Sequence, residues 1–263
     1  SVGAGLSYSG EYDYQSFGAQ LTASAKTKNR NGELTAKVQA FFDQVDKIIP
    51  VELRTGASTD KAPKDLSARN TLTASLSWSQ IINKELQVAI MGDVIQQEGY
   101  LGLPFYRVYF KDGSVHQENL PSNRTKIPLG FRASYFLGDK VIVKGYYRFY
   151  TDSWGIRSNT ASLELPVKIT PFVSISPFYR YYNQSESRYF APYQVHTSQQ
   201  TFYTSNYDLS TFSSSFMGAG IRVAPPAGIL GITHFSMIEI RYGHYSKNID
   251  MSANVVTLHL RWK

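Results

Sequence analysis

Apolar and polar residues alternate with a period of two over most of the chain. The clearest run starts at Leu34, where every second residue up to Phe42 is apolar and the residues between them are mostly polar. The same alternation recurs over residues 71–79, 141–150 and 256–262. Successive side chains of a strand point to opposite faces, so this pattern is typical of strands with two different environments. The chain is therefore predicted to be all-β.

The alternation and the intervening turn residues predict twelve strands. Their expected bounds are 2–12, 15–27, 33–46, 70–81, 86–97, 124–137, 140–152, 157–168, 172–184, 208–223, 234–246 and 251–262. Tight turns follow the second, fourth, sixth and eighth strands. Long polar stretches follow the third, fifth and ninth, at residues 47–69, 98–123 and 185–207.

This layout predicts the fold class and its orientation. An even number of strands, with short connections at one end and long ones at the other, is typical of bacterial outer-membrane barrels. We expect residues 1–263 to form a single transmembrane antiparallel up-and-down β-barrel, with the three long stretches extracellular and both termini periplasmic. A soluble β-sandwich is the alternative, but it would show no preference of loop length for one end.

Aromatic residues support the membrane interpretation. Amphipathic rings prefer the interface between hydrocarbon and water, and several predicted strands carry them near their ends. These residues are Tyr8, Tyr12, Trp78, Tyr135, Phe149, Tyr179, Tyr181, Tyr242 and Trp262.

Composition narrows the possible classes further. The chain of 263 residues is 42% hydrophobic and only 18% charged, which excludes a disordered or coiled-coil protein. It contains no cysteine, which excludes a disulfide scaffold, a thiolate zinc site and a thiol nucleophile. The net charge of +7 is spread over the whole chain, so we expect no nucleic-acid binding. At an outer-membrane surface the available polyanion is lipopolysaccharide with its phosphates. We therefore expect outer-membrane lipids and lipopolysaccharide as partners.

The two ends of the sequence bear on export. Residues 1–5 are strand-like and lack the features of a secretory signal, so we expect export to the bacterial outer membrane with the signal peptide already removed. The sequence opens inside a strand. One interpretation is that further β-hairpins precede this strand in the full-length protein. Its last residues, from Leu258 to Trp262, alternate and close on an aromatic, which resembles the terminal insertion signal of outer-membrane barrels.

Several short motifs resemble one protein family. They are Glu11-Tyr12-Asp13-Tyr14, Gly99-Tyr100-Leu101, Pro104-Phe105-Tyr106-Arg107, Glu118-Asn119-Leu120-Pro121, residues 147–156, residues 178–182, Tyr207-Asp208-Leu209-Ser210 and Arg241-Tyr242-Gly243-His244-Tyr245. With these motifs the chain resembles a family of uncharacterised bacterial outer-membrane β-barrels, catalogued as a domain of unknown function. The resemblance implies the barrel fold and implies no activity.

The polar faces of the strands define the predicted lumen. Its basic residues outnumber its acidic ones. The basic network consists of Lys37, Arg132, Lys144, Arg148, Arg180 and Arg241, and the acidic partners are Asp43, Asp93, Glu164 and Glu239. Arginine and tyrosine on neighbouring strands can cross-link a lumen through hydrogen bonds and cation–π contacts. One interpretation is a filled structural barrel that docks partners in an envelope complex, and the alternative is a narrow anion-preferring channel or transporter.

One pair of residues has catalytic character. His244 and Ser246 share a face of the eleventh predicted strand, where an imidazole could activate the serine as in outer-membrane lipid esterases. Lys247 stands where those enzymes usually have asparagine, and no carboxylate is placed to orient His244. We therefore expect no enzyme activity, with lipid hydrolysis as the alternative.

Ligand and partner expectations follow from the remaining residues. No histidine has metal-ligand spacing and no phosphate-binding loop occurs, so we expect no metal and no cofactor. Long loops on a rigid scaffold favour docking, and a lipoprotein or another outer-membrane subunit is the expected protein partner.

Overall fold

The computed structural model describes residues 1–54 and 65–263, and nearly all of its regular structure is antiparallel strand. Within these ranges twelve long strands and three short ones follow one another. In chain order they are β1 (Val2–Gly10), β2 (Tyr14–Lys26), β3 (Gly32–Asp46), β4 (Leu66–Ile81), β5 (Leu86–Gly99), β6 (Arg107–Tyr109), β7 (Val115–Gln117), β8 (Asn123–Leu137), β9 (Val141–Asp152), β10 (Arg157–Glu164), β11 (Val167–Lys168), β12 (Val173–Gln184), β13 (Phe212–Val223), β14 (Phe235–Lys247) and β15 (Met251–Trp262). Two 3₁₀ turns, Val51–Leu53 and Tyr207–Leu209, lie in loops.

The long strands form one up-and-down sheet. Each pairs with its neighbours in sequence, in the order β1-β2-β3-β4-β5-β8-β9-β10-β12-β13-β14-β15. The predicted all-β, up-and-down class is confirmed. Three long connections meet at one end of the sheet, which we call the long-loop end. They are the β3–β4 loop (47–65), the β5–β8 loop (100–122) and the β12–β13 loop (185–211).

Some element bounds differ from the sequence prediction. The predicted strand 157–168 is broken between β10 and β11 at Pro166, which has no N–H to donate to a neighbouring strand. Strand β4 starts at Leu66, so the predicted loop 47–69 is shorter, and its residues 55–64 lie outside the described residues. The β5–β8 loop contains the extra hairpin β6–β7, and β13 starts at Phe212 after a 3₁₀ turn.

The exposure pattern of the sheet is the inverse of that of a soluble protein. Along β4 the apolar side chains Leu72 and Leu76 are 54% and 56% exposed, and the hydroxyl residues between them are less exposed. The outward residues Ile90 on β5 and Ile240 on β14 behave in the same way. A continuous apolar outer surface of this extent suits lipid rather than water.

Most of the buried apolar side chains lie at the long-loop end. Val108, Phe110, Trp154 and Phe212 are each at most 7% exposed there. The loops therefore form a layer with its own small core, packed on the rim of the sheet. No helix in residues 1–54 or 65–263 has the length and apolar character needed to cross a bilayer.

The first and last strands of the path, β1 and β15, share no backbone pairing. In hydrocarbon an unpaired strand edge leaves backbone N–H and C=O groups without partners, at a cost of several kcal/mol each. Strands β1 and β15 run antiparallel to each other, so they can pair directly or through an even number of intervening strands.

We expect each of these two edge strands to have a second antiparallel neighbour in the membrane-inserted protein. Amide hydrogen exchange in lipid nanodiscs should then be as slow in the middle of β1 and β15 as in the middle of β4. Fast exchange of alternate amides along either edge strand would contradict this expectation.

Candidate functional site

Asp152, at the end of β9, organises the rim at the long-loop end. One carboxylate oxygen accepts hydrogen bonds from Nε of Arg124 at 2.9 Å and from the Tyr150 hydroxyl at 2.8 Å, and it also contacts Nη2 of Arg124. The other accepts the backbone N–H groups of Trp154 at 2.9 Å and Ile156 at 3.0 Å. The Asp152 side chain is fully buried. One carboxylate therefore fixes both the β9–β10 turn and the Arg124 side chain.

Trp154 extends this anchor into the loop layer. Its indole N–H donates to the carbonyl of Asn123 at 3.0 Å, and the Arg124 guanidinium lies 4.3 Å from the ring centroid. The indole also meets Tyr189 of the β12–β13 loop in an edge-on contact. The rim arginine is thus held between a buried carboxylate and an aromatic face.

Backbone hydrogen bonds join two of the long loops into one layer. Asn119 of the β5–β8 loop and Tyr203 of the β12–β13 loop exchange both of their N–H···O bonds, at 2.8 and 3.2 Å. The N–H of Gln194 donates to the carbonyl of Tyr109 at 3.1 Å. These cross-loop pairs hold the loops in a defined arrangement over the rim.

A buried polar network lies at the centre of this layer. Glu118 accepts hydrogen bonds from the Thr204 hydroxyl at 2.5 Å and from the Leu103 N–H at 2.7 Å. Nε2 of His196 donates to the Thr204 carbonyl at 2.8 Å. Burial raises the pKa of Glu118 above its usual value, although both hydrogen bonds favour the carboxylate. The stabilising contribution of this group is therefore greatest at low pH and is lost as pH rises through the raised pKa.

An ion-paired cluster occupies the polar face farther from the rim. Glu164 on β10 contacts Nζ of Lys144 at 3.6 Å and Nη2 of Arg241 at 3.3 Å. Arg241 also pairs with Glu239 at 3.2 Å and lies 5.0 Å from the ring centroid of Phe178. Arg241 and Glu164 lie on strands three places apart in the sheet. Their side chains can meet only because the inner wall is curved.

Arg148 and Arg180 stand nearer the rim on the same face. Both are exposed, and in the described part of the chain neither has a carboxylate within 4 Å. The guanidinium of Arg180 lies 5.3 Å from the ring centroid of Phe216. Both arginines line a recess of about 390 Å³, together with Thr160, Tyr182, Asp208, Phe212, Ser214, Tyr245 and Lys247.

The other lumen residues named from the sequence are dispersed over the earlier strands. Lys37 lies opposite Ser75 in the β3–β4 register, and Asp93 lies opposite the same serine in the β4–β5 register. Arg132 lies opposite Tyr146. Asp43 is buried near the rim, where one of its oxygens accepts the hydroxyl of Tyr14 at 2.6 Å.

His244 and Ser246 lie on the outer face and each bonds to a different partner. Nδ1 of His244 lies 2.9 Å from Oδ1 of Asn254, and the hydroxyl of Ser246 lies 2.9 Å from that of Ser215. The imidazole is therefore engaged with the amide of β15 rather than with the serine hydroxyl.

Sequence reasoning missed two residues that organise the rim. In the sequence Asp152 stands out only as part of a family motif, and Arg69 falls in the predicted loop 47–69. Arg69 lies on β4 and donates to the carbonyls of Tyr100 and Gly102, at 2.8 and 2.9 Å. The signal that could have located it is the period-two pattern, which runs from Leu66 through Arg69 without a break.

Comparison with known proteins identifies the family and the fold. The sequence model of a family described as protein of unknown function (DUF3570) matches residues 1–248. No curated protein matches the chain. Among solved structures, the toluene transporter TodX of Pseudomonas putida aligns with a TM-score of 0.50 and 10% identity, covering 95% of this chain and 73% of TodX.

Two porins also align. The KdgM porin, solved in complex with disordered oligogalacturonate, has a TM-score of 0.37 and 8% identity over 95% of both chains. The NanC porin has a TM-score of 0.27 and 14% identity over 83% of this chain and 97% of its own. At such low identity the likeness to TodX concerns the fold alone, which is that of an outer-membrane β-barrel.

Proposed function

We propose that this chain, which belongs to the DUF3570 family of proteins of unknown function, is an outer-membrane barrel that passes small anionic solutes along a basic inner wall. The proposal places the long-loop end outside the cell and both termini in the periplasm, after export and removal of a signal peptide. It adopts the channel alternative of the sequence prediction in preference to a lumen filled by ion pairs.

The observation that carries the proposal is that Arg148 and Arg180 are exposed and, among the described residues, have no carboxylate within 4 Å. A filled structural network would pair each guanidinium with a carboxylate, as Arg241 is paired with Glu164 and Glu239. Exposed positive charges along a wall attract anions and repel cations, and a low-dielectric surrounding strengthens the effect. The inner wall therefore supports anion preference.

Planar-bilayer recordings under a salt gradient test this proposal. We expect the reversal potential to show anion preference, and the double change Arg148→Gln with Arg180→Gln to reduce it. Arg157→Gln removes the same kind of charge from the outward side of β10 and should leave the reversal potential unchanged. Cation preference of the unchanged protein, or equal effects of the inner and outer variants, would contradict the proposal.

A second candidate function is docking of a protein partner in an envelope complex. The loop layer favours it, because the cross-loop hydrogen bonds hold exposed apolar side chains in fixed positions. Tyr193 and Val195 on the β12–β13 loop are 59% and 54% exposed. Preformed surfaces of this kind bind partners with a small ordering cost.

A photo-crosslinking residue at Tyr193 tests the docking candidate in intact cells. We expect a discrete crosslinked species that contains a lipoprotein or another outer-membrane subunit. The matched site is Ile82, which is similarly exposed at the opposite end of the sheet. The same species from both sites, or none from Tyr193, would argue against docking through the loop layer.

A further inference from the structure

Strand β10 forms the floor of an open trough on the inner wall. Its inward side chains near the rim are all small, namely Ser158, Thr160 and Ser162. The neighbouring inward residues on β9 and β12 are arginines, tyrosines and one glutamine, which rise on either side of this floor. Small residues between two rows of large ones leave room for a ligand, and the 390 Å³ recess begins there.

Arg148 and Arg180 flank this trough from opposite sides. In the strand register Arg148 lies opposite Thr160, which lies opposite Tyr182, two residues from Arg180. Two strand spacings and two residues along the strand separate their Cα atoms by about 12 Å, which is within reach of two long side chains aimed at one point. Two like charges facing one space repel each other unless an anion lies between them.

The acidic group nearest the recess bears on the charge of the ligand. Asp208 lies at the edge of the recess, where it is 77% exposed and bonds to Nζ of Lys247 at 2.9 Å. Lys247 also lies 4.0 Å from the ring centroid of Phe212, so this lysine is already engaged. A carboxylate at the edge repels a doubly charged phosphate more strongly than a singly charged carboxylate. The guanidinium forks of Arg148 and Arg180 also match the planar geometry of a carboxylate.

Aromatic rings line the rest of the recess. Tyr182 and Phe212 lie with ring centroids 5.6 Å apart, and Tyr245 also lines the recess. The Tyr182 hydroxyl is already bonded to Gln184 at 2.6 Å, so its ring face is the part left for a ligand. Aromatic faces stack favourably on a flat ring.

We propose that the recess binds a ring-bearing carboxylate, whose acid group lies between Arg148 and Arg180 and whose ring packs against Tyr182 and Tyr245. The proposal rests on the passage of anions proposed above and names the substrate class for that wall. The site would hold the solute just inside the long-loop end, before it reaches the ion-paired cluster around Glu164.

Titration calorimetry on the purified, folded protein in detergent micelles tests the proposal, with benzoate as the probe. We expect saturable benzoate binding, weaker binding of acetate and no measurable binding of benzamide, which has the same shape without the charge. Arg148→Gln and Arg180→Gln should each raise the Kd by about tenfold or more, the usual loss for a hydrogen bond to a charged group.

A matched variant separates the recess from general electrostatics. Arg222→Gln removes a charge from the same polar face of β13 far from the recess, and it should change the Kd by less than about twofold. An equal loss in Arg222→Gln would overturn the proposal. Absence of saturable benzoate binding, equal binding of benzamide, or tighter binding of phenyl phosphate would overturn it too. Anion preference in bilayers without benzoate binding would reject this inference alone, whereas cation preference would reject the proposed function.

Discussion

Replacing Asp152 with alanine is expected to lower the free energy of unfolding by about 3–5 kcal/mol, the usual cost of removing one partner of a buried ion pair. The change would remove the acceptor of five hydrogen-bond contacts and leave Arg124 largely buried without a counter-charge. The rim turn that carries Trp154 would lose its anchor at the same time. Urea unfolding in lipid vesicles, followed by tryptophan fluorescence, measures the effect.

Two other variants define the cause of that loss. Glu52→Ala breaks an ion pair with Arg107 in which both side chains are exposed, so it should cost far less than Asp152→Ala. Asp152→Asn keeps the shape and some hydrogen bonds but removes the charge, so its effect should lie between the two alanine variants. If Asp152→Ala and Glu52→Ala cost the same, the buried carboxylate is not the anchor described here.

Placing arginine at Ala74 is expected to destabilise the inserted protein by about 2–4 kcal/mol, because a lipid-facing charge near the bilayer midplane carries that cost. Ala74 lies halfway along β4 on the outward face, between Val38 and Val94 of the adjacent strands. The small native side chain of Ala74 contributes little packing, so the added charge is the main cause of the expected loss. Folding into vesicles, measured by the shift in electrophoretic mobility of unheated samples, reports the result.

The adjacent position provides the control for this change. Thr73 points to the polar inner face, so Thr73→Arg should fold about as well as the native chain. Equal losses for Thr73→Arg and Ala74→Arg would mean that the two faces of β4 do not differ in environment, and the membrane orientation of the strand would be wrong.

The sequence predicted the strands well because the relevant signal is local. In β4, each residue from Leu72 to Trp78 faces either lipid or the inner wall, and the two environments select opposite chemistries at every step. The pattern therefore repeats along the strand regardless of its neighbours. The start of β4 differs from the prediction because the charge of Arg69 is typical of a loop, although the alternation continues back to Leu66.

The contacts of the site could not be predicted in the same way. The parity of a strand indicates that Glu164 and Arg241 share a face, but they are 77 residues apart and meet only because the sheet curves. The five contacts of Asp152 likewise require the β9–β10 turn to close on the end of β8. Such pairings depend on loop closure and strand register, and neither of these produces a periodic pattern in the sequence.

The sequence by itself determined the all-β class, the alternation of two environments and the excess of positive charge on the polar face, because each depends only on the residue and its immediate neighbours. The tertiary structure decided which charges are neutralised. Glu164 pairs with Lys144 and Arg241, whereas Arg148 and Arg180 line an open recess, and neither has a carboxylate within 4 Å in the part of the chain that the structure describes. This difference arises from strand register and sheet curvature, which place one carboxylate within reach of two cations and leave two other cations without one.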